Sequence, residues 1–280
     1  MNIARFLLAG SLLCSFSSFA QTPTSLQLEK GRKLTLQNNS STNADLGMGM
    51  EMKNNSNQIF DIEVIDINET TLSLQFRLKK LTMDIDAMGQ QVTYDSDKES
   101  DRQSEVGKSI PEDMYKTDTV RISRLTGKLI DRKKKNAEQS DANENPMAGM
   151  MSGIGNADQG ETVADMFFMI PKDIKTGDTW KDSLIDKSMK KYLTYTLQDI
   201  EGDKATVLVN EQSNISTESE VQGMAMQVNM SGNNKYSLTV DVKTGLTIKK
   251  TMYSDVTGTI EVMGQSQNIS SKSKSEKTVL

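Results

Sequence analysis

Apolar and polar residues alternate with a period of two along much of this chain. Positions 60, 62 and 64 are apolar with acidic residues between them, and after a polar turn at 68–69 the alternation resumes over 72–78. Successive side chains of a strand point to opposite faces of a sheet, so this pattern is typical of a strand with one buried face. Two such strands around a short polar turn predict an antiparallel hairpin.

The same hairpin pattern recurs 133 residues later. Its inward positions are Leu193, Tyr195, Leu197, Ala205, Val207 and Val209. A strand–turn–strand unit also occurs twice, around Thr126-Gly127 and around Thr244-Gly245. Glycine at these turns suits a backbone position with positive φ. We therefore predict a mainly β, antiparallel protein whose two similar halves form an extended twisted sheet or half-barrel, with one short helix.

The chain divides into five segments by composition and periodicity. They are a signal peptide at 1–20, a first β-rich repeat at 21–135, a flexible linker at 136–160, a short helix at 161–171 and a second β-rich repeat at 172–280. The linker is rich in Asn, Gly, Ser, Asp and Ala and has almost no periodicity. Thr162 is a typical helix N-cap, and Pro171 ends the apolar helical face that follows it.

The first twenty residues have the pattern of a secretory signal. Arg5 precedes an apolar run at 6–13, and Ser18 and Ala20 place small residues at the −3 and −1 positions. This predicts cleavage after Ala20 and an extracytoplasmic location, in the periplasm or secreted. Lipidation at Cys14 is disfavoured because Leu13 precedes it, where a lipoprotein signal has a small residue. The apolar run is too short to span a bilayer, and no later stretch approaches that length, so we expect no transmembrane segment.

Composition excludes several classes of function. The sequence has no histidine, and its single cysteine, Cys14, lies in the signal. Catalytic triads built on His or Cys, disulfides and most zinc or copper sites are therefore excluded. A net charge of −5 argues against a duplex nucleic-acid partner, and 5% aromatic residues argue against a base-stacking surface. We expect no cofactor, no metal and no nucleic acid, while the oligomeric state stays open.

Methionine is the most suggestive residue type, with 18 in the chain. Alternating methionines on one strand face have three interpretations: ordinary core, a deformable cavity for an apolar ligand, or a Cu(I) site. Core is the simplest of these, and copper is the weakest without a His or Cys ligand. The candidates for lining a ligand groove are Met48, Met50, Met52, Met166, Phe167, Met224 and Met226.

An acidic run at 95–101 imitates a calcium-binding loop. Ser100 stands where an EF-hand has glycine, and Val106 stands where it has glutamate. The EF-hand interpretation therefore fails, and a solvated acidic loop is the simpler one.

Two further motifs keep a hydrolase open as an alternative. Ser188 and Lys191, followed by a Lys-Thr-Gly triplet at 243–245, imitate signatures of penicillin-recognising serine enzymes. The Ser-Asp-Asn element of those enzymes is missing, and the triplet is equally well explained as a turn. Paired acids such as Asp84 and Asp86 are common on solvated strands, and nothing selects them for catalysis.

The signal, the Gly-Asp-Thr-Trp motif at 177–180 and the Thr244-Gly245 turn together resemble an uncharacterised family of secreted proteins found largely in Bacteroidota. The resemblance covers most of the mature chain and implies an extracytoplasmic β-rich protein of unknown function, with no catalytic residues to carry over. A looser analogy is to periplasmic lipoprotein carriers, whose curved half-barrel and helical plug shelter acyl chains.

These observations favour a non-enzymatic extracytoplasmic β-rich module for binding or scaffolding. Its expected partner is an apolar small molecule or lipid held between the sheet and residues 163–170. The alternatives are a hydrolase that uses carboxylates or Ser/Lys, and a surface or assembly component without a ligand. A broad groove lined by Met and Leu would favour binding, whereas a buried pair of acids would favour the hydrolase.

Overall fold

The computed structural model describes residues 25–47, 49–87, 89–132, 159–221, 224–262 and 264–280. Within these ranges twelve antiparallel strands form one sheet. They are β1 (Lys33–Asp45), β2 (Glu51–Ile67), β3 (Thr71–Ala87), β4 (Gln90–Asp95), β5 (Asp118–Ser123), β6 (Leu129–Arg132), β7 (Thr179–Ile185), β8 (Met189–Glu201), β9 (Lys204–Val221), β10 (Met224–Asp241), β11 (Thr247–Val262) and β12 (Gln265–Val279). The predicted mainly β, antiparallel fold is confirmed.

The helices in the described part of the chain are short. They are α1 (Glu99–Arg102), α2 (Glu105–Ser109), a 3₁₀ turn (Glu112–Tyr115) and α3 (Gln159–Ala164). Neither α1 nor α2 is predicted by the pattern of apolar residues. None of the helices in the described ranges is long and apolar enough to cross a membrane.

The helix predicted at 161–171 begins earlier and ends sooner than expected. Asp165 and Met166 form a hydrogen-bonded turn directly after Ala164, and Phe167 then forms an isolated antiparallel bridge with Leu246. The Thr247 amide donates to the Met166 carbonyl at 2.7 Å, and the Phe168 amide donates to the Gly245 carbonyl at 2.9 Å. From Phe167 onward the backbone therefore pairs with a neighbouring turn, which replaces the hydrogen bonds that a longer helix would make within itself.

The strand order shows two copies of one five-strand unit placed side by side. The sheet runs β6-β5-β3-β2-β1-β12-β11-β10-β9-β8-β7, and β4 also pairs with β3. Strands β1, β2, β3, β5 and β6 thus repeat as β7, β8, β9, β10 and β11, in the same spatial order. The last strand, β12, lies between the two units and pairs with β1 and β11.

Pairing irregularities recur at equivalent places in the two halves. The β2–β3 register shifts after Val64, and the β8–β9 register shifts after Leu197, 133 residues later. A second pair of shifts follows Arg121 in β5 and Thr239 in β10, which are 118 residues apart. Because bulges fix the local bend and twist of a strand, the two halves share these bends, and the β2–β3 pair has a further shift after Ile59.

One insertion distinguishes the first half from the second. Strand β3 pairs with β5 through residues 71–76 and with β4 through residues 82–87. Residues 96–117 connect β4 to β5. The equivalent β10 is continuous and pairs with β9 from Met224 to Asp241. In the inserted segment Met114 is buried in the first-half core, and Val106, Ile110 and Tyr115 pack against it. The insertion therefore covers a part of the first-half sheet, and no equivalent insertion covers the corresponding part of the second-half sheet in the described residues.

The core lies on one face of the sheet, which we call the inner face. Inward side chains such as Phe60, Val64 and Leu74 are fully buried in the first half, as are Leu197 and Val207 in the second. They form two adjoining clusters, one in each half. Burial of apolar area is the main source of stability in such a sheet.

Residues 165–172, which we call the crossing segment, run over the inner face from one cluster to the other. Met166 and Phe167 are buried in the first cluster, and Ile170 is buried in the second. The two duplicated turns hold this segment. Gly127 (φ 72°) and Gly245 (φ 75°) require a left-handed backbone, and a Cβ on Gly245 would lie 3.0 Å from the Met169 sulfur. Glycine is needed there for both conformation and space.

Candidate ligand groove

A cavity of about 1050 Å³ lies between the crossing segment and the inner face of the second half. Strands β8 to β11 form its floor, and residues 125–129 of the β5–β6 loop lie along one side. Its volume is slightly above the range for small-molecule sites, which is roughly 300–1,000 Å³. The equivalent surface of the first half is the one that the insertion at 96–117 helps to cover.

Three aromatic side chains form one wall of this groove. Trp180 of β7 stacks on its cross-strand partner Tyr195 of β8, with ring centroids 5.2 Å apart and an interplanar angle of 10°. Phe168 of the crossing segment lies 5.5 Å from Tyr195 and 6.4 Å from Trp180, centroid to centroid. All three rings are half-buried. They therefore present an apolar surface to the groove and keep part of it in contact with water.

The local sequence explains why this wall forms. The Gly177 amide donates to the Leu197 carbonyl at 2.8 Å, and the Leu197 amide returns a bond to the Asp178 carbonyl at 3.1 Å. These two bonds fix the register in which β7 enters beside β8, so Trp180 falls opposite Tyr195. Burial raises the pKa of Tyr195 to about 12, helped by the nearby carboxylates of Asp182 and Glu211, so its hydroxyl stays neutral.

A charged cluster lies deeper along the same floor. Lys250 of β11 and Lys277 of β12 are direct cross-strand partners, with side chains only 17% and 16% exposed. Like charges directly opposite one another destabilise a sheet. Asp165 of the crossing segment offsets this repulsion, because one oxygen, Oδ2, accepts from Lys250 Nζ at 3.0 Å and from Lys277 Nζ at 2.7 Å.

Opposing effects set the ionisation of this cluster. Burial by itself would raise the pKa of Asp165, but the charges and hydrogen bonds of Lys277 and Lys250 outweigh it and hold that pKa well below its usual range. Burial also lowers the pKa of Lys277, and the Asp165 carboxylate opposes that effect. Asp165 is therefore ionised at neutral pH. Its side chain is 46% exposed, so water screens the attraction.

A second carboxylate, Glu211 of β9, is only 6% exposed. Its Oε1 accepts from Asn234 Nδ2 and its Oε2 accepts from the Tyr236 hydroxyl, both at 2.8 Å. The Tyr236 ring also lies 4.8 Å from Lys250 Nζ, in cation–π contact. Burial raises the pKa of Tyr236, and the charge of Glu211 adds to the effect. Each oxygen of Glu211 thus has a neutral donor of its own.

The structure distributes the seven sequence-predicted groove residues widely. Met48 and the side chains of Met224 and Met226 lie outside the described residues. Met50 is half-buried at the β1–β2 turn, and Met52, at the outer end of β2, packs against the first-half core. Met166 is buried in that core, so it faces away from solvent. Phe167 is also buried there, and its edge reaches the groove.

The motifs that suggested hydrolase or calcium chemistry are held in separate ordinary structures. The Ser188 hydroxyl donates to Asp186 within the β7–β8 turn, whereas Lys243 pairs with Asp203 at the opposite end of the strands. In the acidic run, Asp95 and Asp97 both pair with Lys80. Within the described ranges, no group of three or more acidic side chains is arranged to hold a metal ion.

The comparisons assign a family and a fold. Residues 69–247 match the family of unknown function DUF6263, and the chain belongs to that family. The resemblance to an uncharacterised family is thereby confirmed, while its secretion and its bacterial group remain predictions. No functionally curated protein matches the chain by sequence.

Among solved structures, one described as "Lipid-protein interactions in lipovitellin" has a similar fold. It aligns with a TM-score of 0.51 and 8% identity over 91% of this chain, and the match spans 25% of the lipovitellin chain. An outer membrane channel from Pseudomonas putida F1 aligns over 91% of this chain and 98% of its own with 7% identity. Its TM-score of 0.27 is too low to carry an argument. At such identities the likeness to lipovitellin shows the fold alone.

Proposed function

We propose that this protein is a non-enzymatic, extracytoplasmic binding module that holds an apolar, lipid-like ligand in the groove of its second half. The observation that carries the proposal is the contrast between the two halves. The insertion at 96–117 covers the first half, whereas the same face of the second half borders a cavity of about 1050 Å³. The two halves share one sheet pattern, and the cavity beside the crossing segment lies on the second half.

The lining of the groove supports an apolar ligand. The wall of Phe168, Trp180 and Tyr195 leaves aromatic surface partly in water, and a ligand would remove that surface from water. Burial of apolar area contributes about 25 cal/mol per Å², and aromatic rings supply much of it in binding sites. The fold resembles that of lipovitellin, whose structure is described by its lipid–protein interactions. That likeness supports the proposal at the level of fold.

Trp180 gives a direct test, because it is the only tryptophan in the chain. Diphenylhexatriene, a neutral apolar probe, absorbs where tryptophan emits. We expect the probe to become fluorescent on binding and to quench Trp180 emission by energy transfer. Leu193→Gln, on the groove floor, should abolish both signals. Tyr192→Gln, on the opposite face of the same strand, is the matched control and should preserve them.

The outcome that contradicts the proposal is equally direct. If folded wild-type protein neither enhances the probe's fluorescence nor loses Trp180 emission, no apolar ligand enters the groove. If both variants weaken binding equally, the probe binds elsewhere on the surface.

A further inference from the structure

We propose that the ligand is an anionic amphiphile whose carboxylate takes the place of Asp165 between Lys250 and Lys277, while its acyl chain lies along the aromatic wall. This inference rests on the proposed function and names the chemical class of the ligand. The juxtaposition behind it is a groove with an apolar wall and two lysines that line the same cavity.

The two lysines require an anion between them. They are cross-strand partners on adjacent strands. Their side chains line the groove, and both side chains are about five-sixths buried. Two ammonium groups in that position are poorly hydrated and repel one another unless a negative charge joins them. The sheet therefore fixes a site for one carboxylate, and its position does not depend on which molecule supplies that carboxylate.

Asp165 has the properties of a replaceable occupant. It lies on the crossing segment, one residue after α3, whereas both lysines belong to central strands of the sheet. Its side chain is 46% exposed, so it lies at the border between the groove and water. A ligand carboxylate in its place would restore the same hydrogen bonds to both ammonium groups.

Glu211 does not compete for this position. Both of its oxygens are engaged by Asn234 and Tyr236. The cluster combines two lysines with the carboxyl groups of Asp165 and Glu211, and the charge of Glu161 also acts on Lys277. A ligand carboxylate would place a negative charge between the two ammonium groups, whereas a cationic amphiphile would place a third positive charge there.

The test compares palmitate with hexadecanol, which share a C16 chain and differ in the charge of the head group. Binding of each is followed through Trp180 emission. For palmitate, Lys277→Gln should weaken binding about tenfold or more, because a hydrogen bond to a charged group is lost. Asp165→Asn should tighten palmitate binding about tenfold, because it removes the internal competitor. Neither variant should change hexadecanol binding more than about twofold.

Matched controls lie on the opposite face of the same strands. Lys272→Gln and Asp255→Asn change the same residue types where both side chains are mostly exposed, and they should leave palmitate binding unchanged. Circular dichroism establishes that each variant is folded before titration. If Lys277→Gln does not fold, Lys250→Gln tests the same ammonium pair.

Each result has a defined meaning. Equal binding of palmitate and hexadecanol, insensitive to the lysine variants, would overturn the anionic ligand and leave the apolar groove standing. If Asp165→Asn weakens both ligands alike, Asp165 is a structural residue and the exchange is overturned. If neither ligand nor diphenylhexatriene binds the wild type, the proposed function itself fails.

Discussion

Lys128 and Asp182 join the two ends of the sheet: the ammonium nitrogen of Lys128 lies 2.8 Å from a carboxylate oxygen of Asp182. Lys128 belongs to the β5–β6 loop and Asp182 to the edge strand β7, so the pair spans the whole strand order. The side chains are 72% and 41% exposed, and such pairs contribute only about 0–1 kcal/mol. The two residues are close because the sheet is curved, and the same curvature brings residues 125–129 to the side of the groove.

The duplication predicts matched core mutations. Leu74 and Val207 are equivalent, fully buried positions in β3 and β9. Leu74→Ala should lower the free energy of unfolding by about 2–5 kcal/mol, and Val207→Ala by somewhat less because fewer atoms are removed. Gln75→Ala, on the exposed face, should cost less than about 0.5 kcal/mol. Urea unfolding measures all three, and equal losses at Leu74 and Gln75 would contradict the observed register.

The turn glycines that contact the crossing segment should be more sensitive than other turn glycines. Gly245→Ala combines a positive φ with a Cβ placed 2.5 Å from Leu26 Cδ2 and 3.0 Å from the Met169 sulfur, and it should destabilise by about 1–3 kcal/mol or more. Gly177→Ala has the same left-handed strain, with φ 91°, but nothing lies within 4 Å of the added Cβ. Its loss, measured by thermal unfolding, should be smaller. A larger loss at Gly177 would mean that the close packing contributes nothing.

Asp165 predicts a pH dependence of stability. Its pKa is lower in the folded protein than in the unfolded chain, where it is about 3.9. Its contribution is therefore fully present above the unfolded pKa and is lost as the pH falls through the folded pKa. Asp165→Asn should lose less stability than the wild type between pH 7 and about 3. Asp255→Asn is the control and should keep the wild-type dependence. Identical urea-unfolding profiles for all three proteins would contradict the assignment.

The signal peptide predicted at residues 1–20 implies a defined mature N-terminus. When the full chain is expressed in a Gram-negative host, intact-mass measurement should show a protein that begins at Gln21. A mass that retains residues 1–20, or diacylglycerol on Cys14, would contradict this interpretation. The result also decides whether the groove operates outside the cytoplasm.

Period-two alternation predicted the fold well because it depends only on which face of a strand is buried. It identified the inward positions of both hairpins, and the offset of 133 residues matches bulges that the structure places after Val64 and Leu197. The insertion at 96–117 could not be predicted from periodicity, because α1 and α2 are each about one turn long and a helical period needs more residues to appear.

The charged part of the groove was missed for a different reason. Apolar residues mark the inward face in a period-two pattern, whereas the charged residues Glu211, Lys250 and Lys277 carry no such mark. Alternation extended along β9 from Val207 and Val209 would have marked Glu211 as an inward charge. The contact of Asp165 with both lysines had no such signal, because it joins residues 85 and 112 positions apart. Only tertiary structure brings them together.

Native mass spectrometry of the protein purified from its native host tests the central claim most directly. We predict that the wild type carries a non-covalently bound lipid, that Leu193→Gln has lost it, and that Tyr192→Gln has kept it. A wild-type spectrum that shows only the bare polypeptide, from protein that also fails to bind diphenylhexatriene, would contradict the claim that the second half of the sheet is a binding groove.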